Sequence, residues 1–124
     1  MPTILIAGCA ILKSGKILLI KKKEKKFWEL PGGIVQTKTD IEAVAVSKTK
    51  AQIGVEPVVV QQFVTLEYQK DGTNTEVILF ECDVDPDATF TPGENVEEVK
   101  WFAMKGLEKE NVGDDVKAIL EEIQ

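Results

Sequence analysis

The chain has 124 residues, 44% hydrophobic and 29% charged, with a formal net charge of −6. That length suits one domain with a buried core and excludes two, and no apolar run approaches the ~20 residues that a membrane helix needs. There is no histidine, and all fifteen basic residues are lysines, which excludes histidine general-base chemistry and bidentate guanidinium clamps on phosphate.

The charge is unevenly spread. Residues 1–38 hold eight lysines and two acids, +6, and residues 39–124 hold seven lysines and nineteen acids, −12. An acidic chain of this kind is not built for nucleic acid.

In chain order, residues 3–13 and 16–23 read as two apolar strands joined by a tight hairpin at Ser14-Gly15. The N-terminus, MPTILIAGCAILKSGK, has no basic n-region and reads as a strand, not a signal peptide. Cys9 and Cys82 lie in apolar strand-like runs, which predicts reduced core residues and a cytoplasmic setting. The run Lys21 to Lys26, KKKEKK, has two readings: an anion-binding patch or a solvated loop.

Trp28 to Val55 organises the rest. Phe27, Trp28 and Leu30 lead as a short strand into a Pro31-Gly32-Gly33 turn. Trp28 reads as core, with stacking on a base as the alternative. Thr39 and Glu42 fit a capping box, and Ile41, Val44, Ala45, Thr49 and Ile53 recur at helical spacing. A helix over about residues 40–53 is expected, stopped at Gly54.

Residues 57–69 read as a long strand, Lys70-Asp71-Gly72-Thr73-Asn74 as a hairpin turn, and Thr75 to Val84 as the returning strand. Residues 88–97 read as a Pro/Gly-containing loop; Glu94, Glu97 and Glu98 precede a short strand from Val99 to Ala103. After a turn at Gly106 to Glu110, a last helix begins at Asp114. Asp114 or Asp115 is its cap, and Val116, Ile119, Leu120 and Ile123 share its apolar face.

The stretch from Gly33 to Val55 resembles the Nudix box, the signature of MutT-like hydrolases: Gly, five residues, Glu, seven residues, Arg-Glu, an apolar residue, any residue, Glu-Glu, any residue, Gly, an apolar residue. The spacing fits without a gap. The polar positions depart from the pattern, with Thr39 at the first Glu, Ser47-Lys48 at Arg-Glu and Ala51-Gln52 at Glu-Glu. The resemblance implies an α/β/α sandwich with a mixed sheet between helices, in the order β-β-(β)-α-β-β-β-α, as a single domain over residues 1–124. It also implies a phosphorylated or nucleotide-like ligand. In the family the helix glutamates hold Mg²⁺ or Mn²⁺ against a diphosphate and help to activate water. Here Lys48, Ala51 and Gln52 share one helix face, so the family's metal site is expected to be absent.

Three functions are compatible with this reading. The first is a Nudix-like domain that binds a nucleotide or other phosphorylated molecule without efficient hydrolysis, using Glu29, Gly32, Gly33, Lys48 and Gln52. The second is an active Mg²⁺-dependent pyrophosphohydrolase of nucleoside diphosphate-linked compounds using acids outside the box, with Glu97 and Glu98 as catalytic candidates. The third is a non-catalytic interaction module, with a homodimer as one form. Glu42 reads most simply as a capping residue.

Overall fold

The computed structural model describes residues 3–36, 40–93 and 95–123. Thr39 and Glu94 lie outside that set, as does the side chain of Ile123. β1 (Thr3–Lys13) and β2 (Lys16–Lys22) form the first hairpin. Its turn has Ser14 and Gly15 at φ 52° and 77°, the two positive angles that a two-residue hairpin loop requires. β3 (Trp28–Glu29) and β4 (Gly32–Ile34) flank the Pro31 turn. Helix α1 spans Ile41–Ile53, β5 Val58–Lys70, β6 Thr73–Asp83, β7 Val96–Ala103, and helix α2 Asp114–Ile123. A short 3₁₀ turn, Leu107–Lys109, precedes α2.

The sheet is mixed. β1 runs parallel to β6, and the other pairings are antiparallel, in the order β3-β2-β1-β6-β5 with β4 against β1 and β7 against β2. Period-2 alternation divides β1 between two cores. Ala10 faces the α2 side with Leu66, Val77 and Leu79. Ala7, Cys9 and Ile11 face the α1 side with Ala45, Ile53 and Phe80. The result is the sandwich that the resemblance implies. Both cysteines are buried and unpaired. Trp28 belongs to the core, edge-on to Phe102 with ring centroids 4.8 Å apart.

Four boundaries differ from the sequence reading. The N-cap of α1 is Asp40, whose side chain accepts from the Ala43 N–H, so Glu42 sits in the first turn without the capping-box spacing. Both Thr39 and Asp40 are good caps, and local sequence does not rank neighbours. β6 starts at Thr73 because the turn tightens to Asp71-Gly72, φ 51° and 77°. β7 begins at Val96, so Glu97 and Glu98 are exposed strand residues and not loop residues. They were carried into the strand by pairing with β2, where Glu98 lies opposite Lys21 and Val96 opposite Lys22. At α2 both acids lie in the first turn and neither is the N-cap: the carbonyl of Gly113 accepts from the Lys117 N–H and puts that residue at the cap. The Asp115 Oδ1 accepts from the Val116 N–H (2.8 Å), while its Oδ2 accepts from the distant Leu30 N–H (3.0 Å).

Candidate functional site

The Pro31–Gly33 turn is fixed by its contact with β1. Gly8 pairs with Gly32 and Ala7 with Gly33, and the Cys9 N–H donates to the Pro31 carbonyl at 3.0 Å. Gly32 has φ 149°, and a Cβ there would lie 2.6 Å from Gly8 Cα and collide with the Ala7 carbonyl. Only glycine combines that backbone angle with so close an approach.

Beside this turn lies a cavity of about 500 Å³. Its floor is the apolar α2-side face of the sheet, with Ile6, Val77 and Leu79; its walls are charged. Helix α1 brings Lys48 and Gln52 to one end. The two are i, i+4 neighbours on one face, while Ala45, Thr49 and Ile53 bury the other. The Lys48 stem lies over Gly33, within 3.1 Å of where a Cβ would stand. Lys48 lines the cavity and is exposed, and among the described residues no carboxylate pairs with it. Gln52 turns inward: the Gly32 N–H donates to its Oε1 (2.8 Å), and its Nε2 donates to the Gly32 carbonyl (2.9 Å). The Gln52 oxygen is thus already in use, and one amide N–H remains beyond this pair. Ala51, on the same helix face, is exposed.

Glu29 stands at the other end, only 8% exposed. Lys22 Nζ lies 3.1 Å from Oε1 and Lys25 Nζ 3.3 Å from Oε2. The Lys22 contact is an ion pair without hydrogen-bond alignment, so buried Oε1 has no hydrogen-bond partner. The KKKEKK run is accordingly split: Lys22 and Lys25 line the cavity as counter-ions of Glu29, and Lys21 is a strand residue opposite Trp28. Asp115 shares this end. Burial pushes its carboxyl up to about 6, the Leu30 N–H opposes that shift, and the Glu29 charge adds to it. Burial, and then the charges of Asp115, Asp114 and Glu29, likewise raise the Tyr68 hydroxyl.

Of the residues expected from sequence, the structure brings together Glu29, Gly32, Gly33, Lys48 and Gln52 around one cavity. Glu97 and Glu98 are exposed on β7 and line no part of it. Sequence reasoning missed Asp115, Tyr68 and the pairing of Lys22 and Lys25 with Glu29. Asp114-Asp115 carried one signal, since the two were read as alternative caps and a single cap leaves the other acid to be explained.

Among the described residues no group of three or more His, Cys, Asp or Glu side chains could hold a metal ion. The residues at the box positions do not fit a divalent cation either. Lys48 brings a like charge, Ala51 a methyl, and the Gln52 oxygen is taken.

The model of the NUDIX domain matches residues 2–122. The chain belongs to the Nudix family. Its fold is similar to that of a MutT NUDIX hydrolase from Burkholderia pseudomallei, with a TM-score of 0.87 and 21% identity over 100% of both chains. It is also similar to a MutT protein from Methanosarcina mazei Go1, with a TM-score of 0.84 and 19% identity over 98% of this chain and 92% of that one. A NUDIX hydrolase from Nitrosomonas europaea gives 0.81 and 15% identity over 99% and 88%. No curated protein matches by sequence. Among the described residues no helix is long and apolar enough to cross a membrane.

Proposed function

We infer that this Nudix domain binds a phosphorylated small molecule, with nucleotides as the class of choice, and does not hydrolyse it efficiently. The observation that carries this reading is Lys48, which packs its stem on Gly33 and lines the cavity with no carboxylate partner among the described residues. At ~4 Å and an effective dielectric of ~20, a unit-charge pair interacts at roughly 4 kcal/mol, and a divalent ion doubles the figure. That energy opposes a metal ion and favours a phosphate. It is an upper bound, since the lysine head reaches water. The same cavity is lined by Glu29, whose Oε1 has no hydrogen-bond partner and suits a ligand bearing an N–H or O–H donor. Catalysis in the family runs through a metal that lowers the pKa of bound water. With an ammonium at that position and no histidine to act as base, the chain's own residues hold a ligand but do not activate water.

Calorimetry with nucleoside di- and triphosphates in EDTA tests this. Binding is expected without metal. Lys48→Ala should weaken it by about one to two decades, the roughly 1.5–3 kcal/mol of a charge-assisted contact. Affinity unchanged in Lys48→Ala, or abolished by EDTA, overturns the reading. Mg²⁺-dependent turnover lost in Glu29→Gln, Glu97→Gln or Glu98→Gln would establish the hydrolase with acids outside the box instead.

A further inference from the structure

The geometry points to Gln52 as the positioning residue that holds the Pro31–Gly33 turn in a form independent of divalent cations. The inference concerns the protein without ligand and does not rest on the ligand reading above.

Gly32 directs both its N–H and its carbonyl away from β1 and toward α1, where Gln52 meets both, at 2.8 and 2.9 Å. The pair needs one acceptor and one donor side by side, which a primary amide supplies and a carboxylate does not. A glutamate in the same pose would accept from the Gly32 N–H. Its second oxygen would then face the Gly32 carbonyl oxygen at hydrogen-bond distance, acceptor against acceptor. Such a contact is relieved only by a cation or a proton between the two oxygens. The amide thus removes a need that a carboxylate at residue 52 would create.

The backbone of Gln52 is anchored as well. Its carbonyl accepts from the Gly93 N–H at 2.9 Å, and the next carbonyl, of Ile53, accepts from the Thr91 N–H at 2.9 Å. A Cβ on Gly93 would collide with the Ala51 carbonyl, so the 91–93 loop closes on the end of α1 only because glycine is there. Held from behind, the side chain has little freedom to leave Gly32. Lys48, one turn earlier, packs its stem on Gly33. Residues 48 and 52 therefore tie α1 to two successive glycines by packing and neutral hydrogen bonds.

Hydrogen exchange at the Gly32 amide and thermal denaturation of the ligand-free protein, each in EDTA and in millimolar Mg²⁺, test the inference. In the wild type, slow Gly32 exchange and an unchanged Tm are expected in both buffers. Gln52→Ala should speed Gly32 exchange by roughly tenfold and lower Tm by about 5 °C, with no response to Mg²⁺. Gln52→Glu combined with Lys48→Ala, which removes the only nearby ammonium of α1 on that face, should lower Tm in EDTA and recover it with Mg²⁺. A recovery of that kind separates positioning from mere packing. A wild-type Tm that rises with Mg²⁺ overturns the inference. So does a Gln52→Ala variant with unchanged Gly32 exchange, or a double variant indifferent to Mg²⁺.

Discussion

The segment from Leu30 to Gly33 is gripped from two helices by side chains of different chemistry. Gln52 of α1 holds Gly32 through a neutral amide, and Asp115 of α2 holds the Leu30 N–H through a carboxylate. The amide has nothing to titrate, so its hold is the same across the physiological pH range. The carboxylate is half-buried near the charge of Glu29, and its charged form is disfavoured there, with its pKa raised to about 6. A half-buried acceptor can therefore be supplied in two ways. The amide avoids the desolvation of a charge. The carboxylate makes stronger hydrogen bonds but brings a penalty that depends on the proton.

Removing what both helices grip should have the largest effect. Gly32→Ala places a Cβ against Ala7 and Gly8 in a backbone conformation that L side chains rarely adopt. Backbone strain and steric conflict together should destabilise the fold by about 3 kcal/mol or more. Urea denaturation measures this. A loss below about 1 kcal/mol would mean that β1 and β4 can separate without harm, and that neither grip matters much.

The next effect distinguishes the two grips. An unfolded aspartate titrates near ~3.9, and folded Asp115 at about 6. Between those values the folded state holds the extra proton, so this group's contribution to stability falls as pH rises through the window and is recovered on acidification. Relative to Asp115→Asn, the wild type should gain about 1–1.5 kcal/mol between about pH 7.5 and about pH 5. Denaturant titrations of both proteins at the two pH values read the difference directly. Parallel behaviour would show that Asp115 is no more burdened than a surface acid. Gln52→Ala, by contrast, should shift stability equally at both pH values.

Neither grip could be read from the sequence, for a physical reason. Gln52 and Gly32 are 20 residues apart and Asp115 and Leu30 are 85 apart, and no local pattern encodes a contact across such distances. Local features were legible: the two positive-φ hairpin turns, the apolar stripe of α1, and its stop at Gly54 in the left-handed region. The family resemblance rested on the frame of glycines and helix, which backbone geometry demands whatever the chemistry. Glu97 and Glu98 were misplaced because Pro92 and Gly93 mark a loop. The point at which that loop ends is decided by register against β2, beyond the reach of local sequence. Gln52 reads from sequence as a ligand-binding residue because the backbone groups it satisfies are invisible until β4 pairs with β1.

The smallest expected effect tests whether Lys48 acts by position or by charge alone. Lys50 lies two residues further along α1 and points elsewhere, pairing with Glu56 at 3.4 Å. Both members of that pair are largely solvent-exposed, at 60% and 65%. Exposed pairs of this kind are screened and contribute little, often below about 0.5 kcal/mol. The Lys50 carbonyl, which accepts from the Gly54 N–H at the helix end, belongs to the backbone and survives a side-chain change. Lys50→Ala should therefore leave Tm within about 1–2 °C of the wild type. It removes the same unit of charge as Lys48→Ala, so the long-range field on an approaching anion changes similarly in the two variants. If nucleotide binding depends on the contact over Gly33, Lys50→Ala should keep the affinity within about twofold while Lys48→Ala loses one to two decades. Equal losses in the two variants would show that the helix attracts anions only through its net charge, and would leave the cavity without a phosphate-binding lysine.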